Sequence, residues 1–271
     1  MSALLAYVDG IGLLGPGFDT WEQAKPVLAA ALPAVAARTR LPPPETLPPA
    51  ERRRAGMAVK AALAVGLQAI RSADVAAVGL PTVFTSSGGD GVNCHEICAA
   101  LASSDRLISP TRFHNSVHNA PSGYWSISSG SMATSSVLCA YDGSFVAGLL
   151  EALAQVAAEQ RPVLLVAYDT DYPEPLHAVR PIPDSMGVAL LLSPGAGPHS
   201  LARIALEAGA AFSGRTADTM QDPVLEHLRA SIPAARCLPL LQALAQVRPQ
   251  PRTVVLDYLD GMRCMVEVAA C

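Results

Sequence analysis

The sequence predicts an α/β fold in which apolar strands alternate with helices. Residues 135–159 read as a short strand, a turn at Tyr141-Asp142-Gly143 and a long helix. Within residues 145–158 only Glu151 and Gln155 are polar, so this helix should be apolar nearly all round and buried. The following apolar run, residues 163–167, is typical of a strand covered on both faces. A strand, a helix and a further strand in this order indicate a parallel sheet with right-handed crossovers.

Composition limits the classes of protein that this chain can belong to. With 271 residues, 51% hydrophobic residues and a mean hydropathy of +0.31, it can bury a large core in one domain or in two fused halves. The net charge of −4 is spread without long single-sign runs, which argues against a nucleic-acid surface. The one basic cluster, Glu51-Arg52-Arg53-Arg54, is interpreted as the solvated first turn of a helix, with docking of an acidic carrier protein as the alternative.

Targeting signals are the next feature. No apolar run approaches the roughly 20 residues that span a bilayer, and the beginning of the sequence lacks the pattern of an export signal. We therefore expect a soluble, cytoplasmic protein.

The first half of the chain begins with an apolar strand and a glycine turn. Two helices separated by a proline-rich connector should follow, because prolines suit neither a helix interior nor a central strand. A short β-branched strand and an alanine-rich helix come next. The predicted ranges are strand 3–8, turn 9–12, helix 21–30, connector 41–49, helix 51–72, strand 83–85 and helix 92–102.

A change to prolines and acidic residues at residues 169–183 predicts a boundary. We place it between an N-terminal half, residues 1–172, and a reduced C-terminal half, residues 173–271. The second half should repeat the mixed α/β character of the first on a smaller scale. Its predicted elements are strands 187–192 and 202–207 hinged at residues 194–198, helices 224–230 and 238–247, and a terminal strand pair, 253–257 and 263–269, joined across Asp260-Gly261.

The six cysteines are scattered and point to free thiols in a reducing compartment. Cys94 and Cys98 fall one turn apart, and we expect them to be buried on an apolar helix face. Together with His95 they suggest a metal site, but no second pair of ligands is spaced to complete a tetrahedron. The full set is Cys94, Cys98, Cys139, Cys237, Cys264 and Cys271.

The most unusual segment is residues 109–128, SPTRFHNSVHNAPSGYWSIS. It concentrates two histidines, two asparagines and three aromatic rings in a protein with only 5% aromatic residues. On one helix, His114 and His118 would share a face and could bind a metal. Pro110 and Pro121 bracket them and no third ligand is evident. A hydrogen-bonding network at a subunit contact or a tunnel wall is therefore the favoured interpretation.

Three motifs carry a resemblance to a known family: TSSGGD at residues 85–90, SPTRFHNSVHNAPSGYWSI at residues 109–127 and DGSFVAGLLEAL at residues 142–153. The chain resembles the β-ketoacyl synthase branch of the thiolase-like fold, particularly small N-terminal-domain relatives found with aryl-polyene and xanthomonadin-type pigment pathways. The resemblance covers residues 3–169 well and the remainder only in its order of strands. It implies a layered α/β/α/β/α fold with a shortened C-terminal half.

The resemblance also implies a chemistry from which this chain departs. Active members carry a cysteine at the start of the central helix, which accepts an acyl chain, and two histidines that decarboxylate a malonyl carrier. Matching the helix pattern places Tyr141 at the nucleophile position. Cys139 lies two residues upstream, which on a helical path means ~3 Å of rise and ~200° of rotation, so it should point elsewhere. No family-like histidine motif follows Asp169. The remaining histidines there, His177, His199 and His227, stand in ordinary loop or helix contexts.

The departures lead to the hypothesis of a chain length factor, the silent ketosynthase-like subunit of polyketide or aryl-polyene synthesis. It would form a heterodimer with a full-length β-ketoacyl synthase, reach the acyl carrier protein through that partner, help to shape the acyl tunnel and need no cofactor or metal. The expected pseudo-active site is Tyr141, Asp142 and Ser144. The expected partner or tunnel loop comprises Arg112, Phe113, His114, Asn115, His118, Asn119, Tyr124 and Trp125.

Two alternatives remain open. The first is an acyltransferase or unusual condensing enzyme that uses Cys139 as nucleophile, with His118 or His114 as base. The second is a stand-alone module that binds acyl carrier protein. The sequence also leaves open whether the phenol of Tyr141 plugs a vestigial pocket.

Overall fold

The computed structural model describes residues 3–206, 215–259 and 261–271. The described strands are β1 Leu4–Leu14, β2 Thr82–Thr85, β3 Ser135–Leu138, β4 Val163–Asp169, β5 Met186–Ser193, β6 Ala202–Leu206, β7 Arg252–Asp257 and β8 Arg263–Ala269. The described helices are α1 Trp21–Leu28, α2 Pro49–Arg54, α3 Met57–Ser72, α4 Gly91–Ala102, α5 Pro110–Asn115, α6 Ala120–Ser129, α7 Ser144–Glu159, α8 Leu176–Val179, α9 Pro223–Ser231 and α10 Leu238–Ala245. Short 3₁₀ turns cover Tyr141–Gly143 and Pro233–Cys237.

The eight described strands form one mixed sheet in the order β3-β2-β4-β5-β1-β6-β8-β7. Strand β2 pairs in parallel with both β3 and β4, whereas the other pairs are antiparallel. The predicted parallel strand-helix-strand unit is therefore confirmed for β3, α7 and β4. Every residue of β4 is buried, as its continuous apolar run predicts for a strand covered on both faces.

Helices cover the sheet on its two faces. On one face, α3 and α6 pack over alternate strand residues such as Phe84 and Leu164. On the other face, α7 and α10 pack over the neighbouring residues Val83 and Leu165. The predicted layered α/β fold is confirmed. Strand β6 pairs with β1, so the C-terminal strands continue the same sheet.

The predicted glycine turn at residues 9–12 is wrong, because β1 continues through it to Leu14. A Cβ on Gly10 would lie 2.1 Å from the carbonyl oxygen of Ala69, and a Cβ on Gly12 would lie 1.9 Å from that of Val65. These glycines let the strand lie directly against α3. The irregularity that they introduce is limited to a shift in register after Val8.

Two helix predictions also differ from the structure. The predicted helix 51–72 divides into α2 and α3 around Gly56, and no residue of α2 is buried. Helix α7 is buried mainly in its first two turns. Ala154 and Ala157 face solvent, so the prediction that the helix is buried on all sides is wrong. Its polar side chains, Glu151 and Gln155, both hydrogen-bond to Ser136 of β3.

The prediction that Cys94 and Cys98 are buried is wrong, since both thiols are exposed. Helix α4 buries only Gly91 and Asn93 near its beginning, and its outer face is not covered. The apolar side chains of this helix are therefore not buried, and Leu101 is among the exposed ones.

Strand β5 lies between β4 and β1, so residues beyond 172 complete the sheet of the first half. The division into halves at residue 172 stays a prediction. The two C-terminal helices and the terminal strand pair are confirmed. Residue 207, the predicted end of β6, and Asp260 of the final turn lie outside the described residues. None of the helices described here is long and apolar enough to cross a membrane.

Candidate functional site

The candidate site is the turn that joins β3 to α7. Tyr141 adopts a φ of +50°, in the left-handed region that few residues other than glycine use. The Ser144 hydroxyl fixes this turn, because it accepts a hydrogen bond from the Ala140 amide at 3.0 Å and lies 2.7 Å from the Tyr141 carbonyl oxygen, to which it can donate. A sharp strand-to-helix turn with a strained residue is the arrangement that presents a nucleophile in hydrolases. Here it presents the phenol of Tyr141.

The Tyr141 ring is held by an arginine. The guanidinium carbon of Arg180 lies 3.6 Å from the ring centroid, which is a cation–π contact. Arg180 donates to one oxygen of Asp142 at 2.7 Å, and Arg236 donates to the other at 2.8 Å. We call Asp142, Arg180 and Arg236 the arginine clamp. Tyr141 is 60% exposed, so its ring covers the turn from outside and does not fill an interior pocket.

The clamp also explains the electrostatics of this helix end. The N-terminus of a helix carries a partial positive charge that favours an anion. The Asp142 carboxylate, in the 3₁₀ turn just before α7, supplies that negative charge. It is shared by two guanidinium groups, so the clamp as a whole carries one net positive charge beside the helix end.

The TSSGGD loop after β2 is fixed by a buried carboxylate. Asp169, at the end of β4, accepts hydrogen bonds from the Ser87 amide at 2.9 Å and the Ser87 hydroxyl at 2.6 Å. Burial raises the pKa of Asp169 to about 6, although the Ser87 hydrogen bonds act in the opposite direction. The loop also lies close to Tyr172, since a Cβ on Gly88 would fall 2.2 Å from its hydroxyl oxygen.

Cys139 lies at the end of β3 and is exposed. Its thiol donates a hydrogen bond to the carbonyl oxygen of Ser87 at 3.2 Å. Within the residues described, no hydrogen bond connects Cys139 to a histidine.

The two candidate histidines do not share a helix. His114 lies in α5, which ends at Asn115, and its exposed ring packs edge-on against Tyr124 with centroids 6.1 Å apart. His118 lies in the connection to α6, against the TSSGGD loop. Burial lowers the pKa of His118, while a hydrogen bond to the backbone of Ser86 acts in the opposite direction. The described residues include no cluster of three or more histidine, cysteine or acidic side chains placed to bind a metal.

Part of the expected partner loop is structural. Asn115 is buried, donates to the carbonyl oxygen of Arg54 at 2.7 Å and accepts a hydrogen bond from the Tyr124 hydroxyl at 3.1 Å. Tyr124 and Trp125 lie in the core, where Trp125 packs edge-on against Phe84. These buried side chains hold the loop in place. Their hydrogen bonds and packing account for part of the unusual composition of residues 109–128.

The rest of the loop faces outwards. Phe113 is 67% exposed and Asn119 is also exposed, while Arg112 lies 3.4 Å from Glu96. Phe113, Val117 and Ile127 line an apolar groove of about 480 Å³ between α5 and α6. The basic cluster of α2 is solvated, and the Arg52 guanidinium turns back to the carbonyl groups of the preceding connector.

The sequence interpretation missed the arginine clamp and the role of Asp169. Arg180 and Arg236 come from loops 38 and 94 residues after Asp142, and no local pattern connects them. Asp169 carried one usable signal, since a carboxylate directly after a fully apolar strand must be either solvated or hydrogen-bonded.

Comparison with known proteins places the chain in a family. The chain belongs to the family described as "Beta-ketoacyl synthase, N-terminal domain", whose model matches residues 20–246. The match extends well beyond residue 169, where the sequence resemblance became weak. A search of curated protein sequences found no match.

Solved structures confirm the thiolase-like ketosynthase fold over nearly the whole chain. One is the ketosynthase ApeO in complex with its chain length factor ApeC from Xenorhabdus doucetiae, with 25% identity, a TM-score of 0.70 and coverage of 97% of this chain and 98% of that one. The ishigamide ketosynthase/chain length factor matches at 13% identity and a TM-score of 0.73, covering 98% and 99%. The AntDE:AntF complex, a ketosynthase with its acyl-carrier protein, matches at 10% identity and a TM-score of 0.75, covering 98% and 99%. The last two show the fold alone.

Proposed function

We propose that this chain is a non-catalytic chain length factor that forms a heterodimer with an active β-ketoacyl synthase. The observation that carries the proposal is the side chain at the turn between β3 and α7. Tyr141 occupies the strained left-handed position, and its ring is held against Arg180. A phenol ionises only near pH 10 and is a poor acyl acceptor at neutral pH, so this turn lacks the thiol that a condensing enzyme needs.

The surroundings of Cys139 support the same proposal. Its thiol is engaged with the Ser87 carbonyl, and no hydrogen bond connects it to a general base among the described residues. Nucleophile and base act as a unit, and the loss of either lowers the rate by orders of magnitude. The enzyme alternative must therefore explain how chemistry proceeds without a hydrogen-bonded pair of this kind.

The surface that fits the synthase partner includes the edge of the sheet. Strand β3 is the end strand, and its outer edge has no strand neighbour in the described part of the chain. An open edge invites pairing with another chain. The exposed apolar side chains of Phe113, Val117 and Ile127 line one groove and form a patch of the kind that marks an interface. In the ApeO–ApeC structure a ketosynthase is bound to a chain length factor, which is the pairing proposed here.

The similarity to the ApeO–ApeC structure also suggests a biosynthetic pathway. We propose an aryl-polyene or related polyketide pigment as the product class, with the acyl carrier protein recruited mainly by the synthase. In this arrangement the loop at residues 112–119 contacts the synthase and contributes to the wall of the acyl tunnel. The same arrangement gives the protein a cytoplasmic location, where acyl carrier proteins are charged.

Co-expression with an active ketosynthase of an aryl-polyene pathway tests the proposal. We expect a 1:1 heterodimer in size-exclusion chromatography with light scattering, with an interface that buries well over ~2,000 Å². Two well-folded proteins that migrate separately would contradict it. Binding of acyl carrier protein by this chain alone, without a ketosynthase, would instead support a stand-alone carrier-binding module.

The enzyme alternative has its own test. Iodoacetamide should label Cys139 no faster than Cys98, which is the matched exposed reference thiol. Selectively fast labelling of Cys139, blocked by an acyl thioester, would support an acyltransferase or condensing enzyme and remove the proposal of a silent subunit.

A further inference from the structure

We propose that a cavity beneath the proline-rich connector binds an amphipathic molecule with an apolar chain and an anionic head group. The cavity measures about 580 Å³ and lies between α3 and residues 38–47, which we call the proline strap. Small-molecule sites typically measure ~300–1,000 Å³ and combine an apolar lining with a few polar groups. Helix α3 covers the face of the sheet opposite to α7, so this site is separate from Tyr141.

The proline strap is fixed at both ends. At one end, Arg38 forms an ion pair with Asp171 at 2.6 Å. At the other end, Arg52 donates to the carbonyl oxygen of Leu47 at 3.1 Å, and the Leu47 side chain is itself buried. Between these anchors, the three successive prolines 42–44 stiffen the backbone that spans the cavity. The cavity is therefore preformed, which lowers the entropic cost of binding a ligand.

The floor of the cavity is one apolar stripe of α3. Its lining positions, 60, 63, 64, 67, 68 and 71, are spaced three or four residues apart and so share one helix face. Leu63 is fully buried, whereas Ala64 and Leu67 are only half-buried. Their free apolar surface, together with Leu41 of the strap, offers a contact for a hydrocarbon chain.

A basic side chain lies at each end of this stripe. Lys60 and Arg71 are eleven residues apart, which corresponds to ~16.5 Å along the helix, and Arg40 approaches from the strap. Within the described residues none of these three cations forms an ion pair. Two carboxylates, Asp19 and Glu45, also line the cavity without an ion pair. The lining thus has one net positive charge, which favours an anionic head group over a cationic one.

Isothermal titration of the full chain with sodium dodecanoate tests the charge requirement. We expect one saturable site, with dodecyltrimethylammonium at least about tenfold weaker. The double variant Lys60→Glu/Arg71→Glu should weaken dodecanoate binding by about tenfold or more, because it changes the net charge of the lining from +1 to −3 and leaves no cation at either end of the stripe. The control Lys25→Glu, on the exposed face of α1, should leave binding unchanged. Equal binding of both amphiphiles would overturn the proposal and indicate detergent-like association only.

A second variant tests the position of the site. Ala64→Trp should fill the cavity and abolish dodecanoate binding, whereas Ala154→Trp, on the exposed side of α7, should not change it. Circular dichroism establishes that each variant is folded. Should Ala64→Trp disturb the fold, the charge variants still decide the question, because Lys60 and Arg71 lie at the rim. Wild-type affinity in a folded Ala64→Trp protein would place the ligand elsewhere and contradict the proposal.

Discussion

In the proposed function, the side chain of Tyr141 at the β3–α7 turn distinguishes this protein from an enzyme that condenses acyl groups. The backbone at this turn is strained, since Tyr141 has a φ of +50°. The side chain at the strained position is a phenol and not a thiol. Strain of this kind costs roughly 1–3 kcal/mol and persists only where surrounding contacts hold it. The contacts here are the Ser144 hydroxyl behind the turn and the Arg180 guanidinium in front of it.

The arginine clamp yields a first prediction. Asp142→Asn should lower the free energy of unfolding by ~1–3 kcal/mol, because it leaves two partly buried guanidinium groups without their carboxylate. Urea unfolding measures the loss. The matched control is Glu267→Gln, which removes a more exposed partner of Arg203 and should cost less than ~1 kcal/mol. Equal, small losses in both variants would show that the clamp contributes no more than a surface pair.

Asp169 yields a prediction about pH. Its pKa rises from 3.8 to about 6 on folding, so between roughly pH 4 and 6 the folded state holds a proton that the unfolded state has lost. The contribution of this group to stability is therefore present below pH 4 and is lost as pH rises to 6, by up to ~3 kcal/mol. Asp169→Asn should flatten this slope, because an amide oxygen still accepts the Ser87 hydrogen bonds without titrating.

Urea unfolding of wild type and Asp169→Asn at several pH values from 4 to 7 measures this slope. Glu267→Gln again serves as the control, since its carboxylate lies at the surface, and its profile should follow that of wild type. An unchanged slope in Asp169→Asn would mean that the buried carboxylate does not retain a proton in this window.

At the scale of elements, strand β1 and helix α3 pack closely because β1 has glycines where the two meet. Gly12→Ala should destabilise the protein by at least ~3 kcal/mol, because the new methyl group would meet the backbone of Val65 at 1.9 Å, and neither element can move without disturbing the sheet. Differential scanning calorimetry should show a large fall in Tm. Gly123→Ala in α6 is the control, since no atom lies within 4 Å of its added methyl and helix propensity should raise stability by ~0.5–1 kcal/mol. A mild effect at Gly12 would contradict the close packing.

Elements were predicted best from the sequence where a continuous run of apolar residues marked a buried strand. The apolar runs of β4 and β5 and the terminal pair β7–β8 were found within one or two residues, because burial on a sheet requires β-branched and aliphatic side chains. Glycines and cysteines misled the interpretation. Gly10 and Gly12 read as a turn but serve a close approach, and Cys94 and Cys98 read as core but lie on a bare helix face.

The candidate site could be predicted only in its local part. The position of Tyr141 followed from the pattern of the central helix. Arg180 and Arg236 could not be found, because ion pairs between distant loops leave no local pattern in one sequence. The predicted partner loop was chosen by its unusual composition, yet composition alone could not separate the buried Tyr124 and Trp125 from the exposed Phe113.

For the molecule as a whole, the proposed heterodimer predicts where an introduced charge will weaken binding to the ketosynthase. Phe113→Glu should weaken association with the ketosynthase by about tenfold or more, because it places a charge in an apolar contact, while leaving the stability of the isolated chain unchanged. Titration monitored by biolayer interferometry measures the change. Val78→Glu, at an equally exposed apolar position away from the partner loop, is the control. Equal affinities for all three proteins would exclude this patch from the interface.

The two faces of the sheet have different functions in this account. Helix α7 and the arginine clamp belong to the face that derives from the family site, while α3 and the proline strap form a separate cavity on the other. Loss of ligand binding at the strap therefore need not affect the heterodimer.

Turnover of malonyl thioester by the purified heterodimer tests the silent-subunit account most directly. Cys139→Ser in this chain should leave the rate within about twofold of wild type, because the reacting thiol belongs to the synthase, whereas replacing the nucleophile of the synthase should abolish turnover. Turnover by this chain alone, lost in Cys139→Ser, would contradict the account.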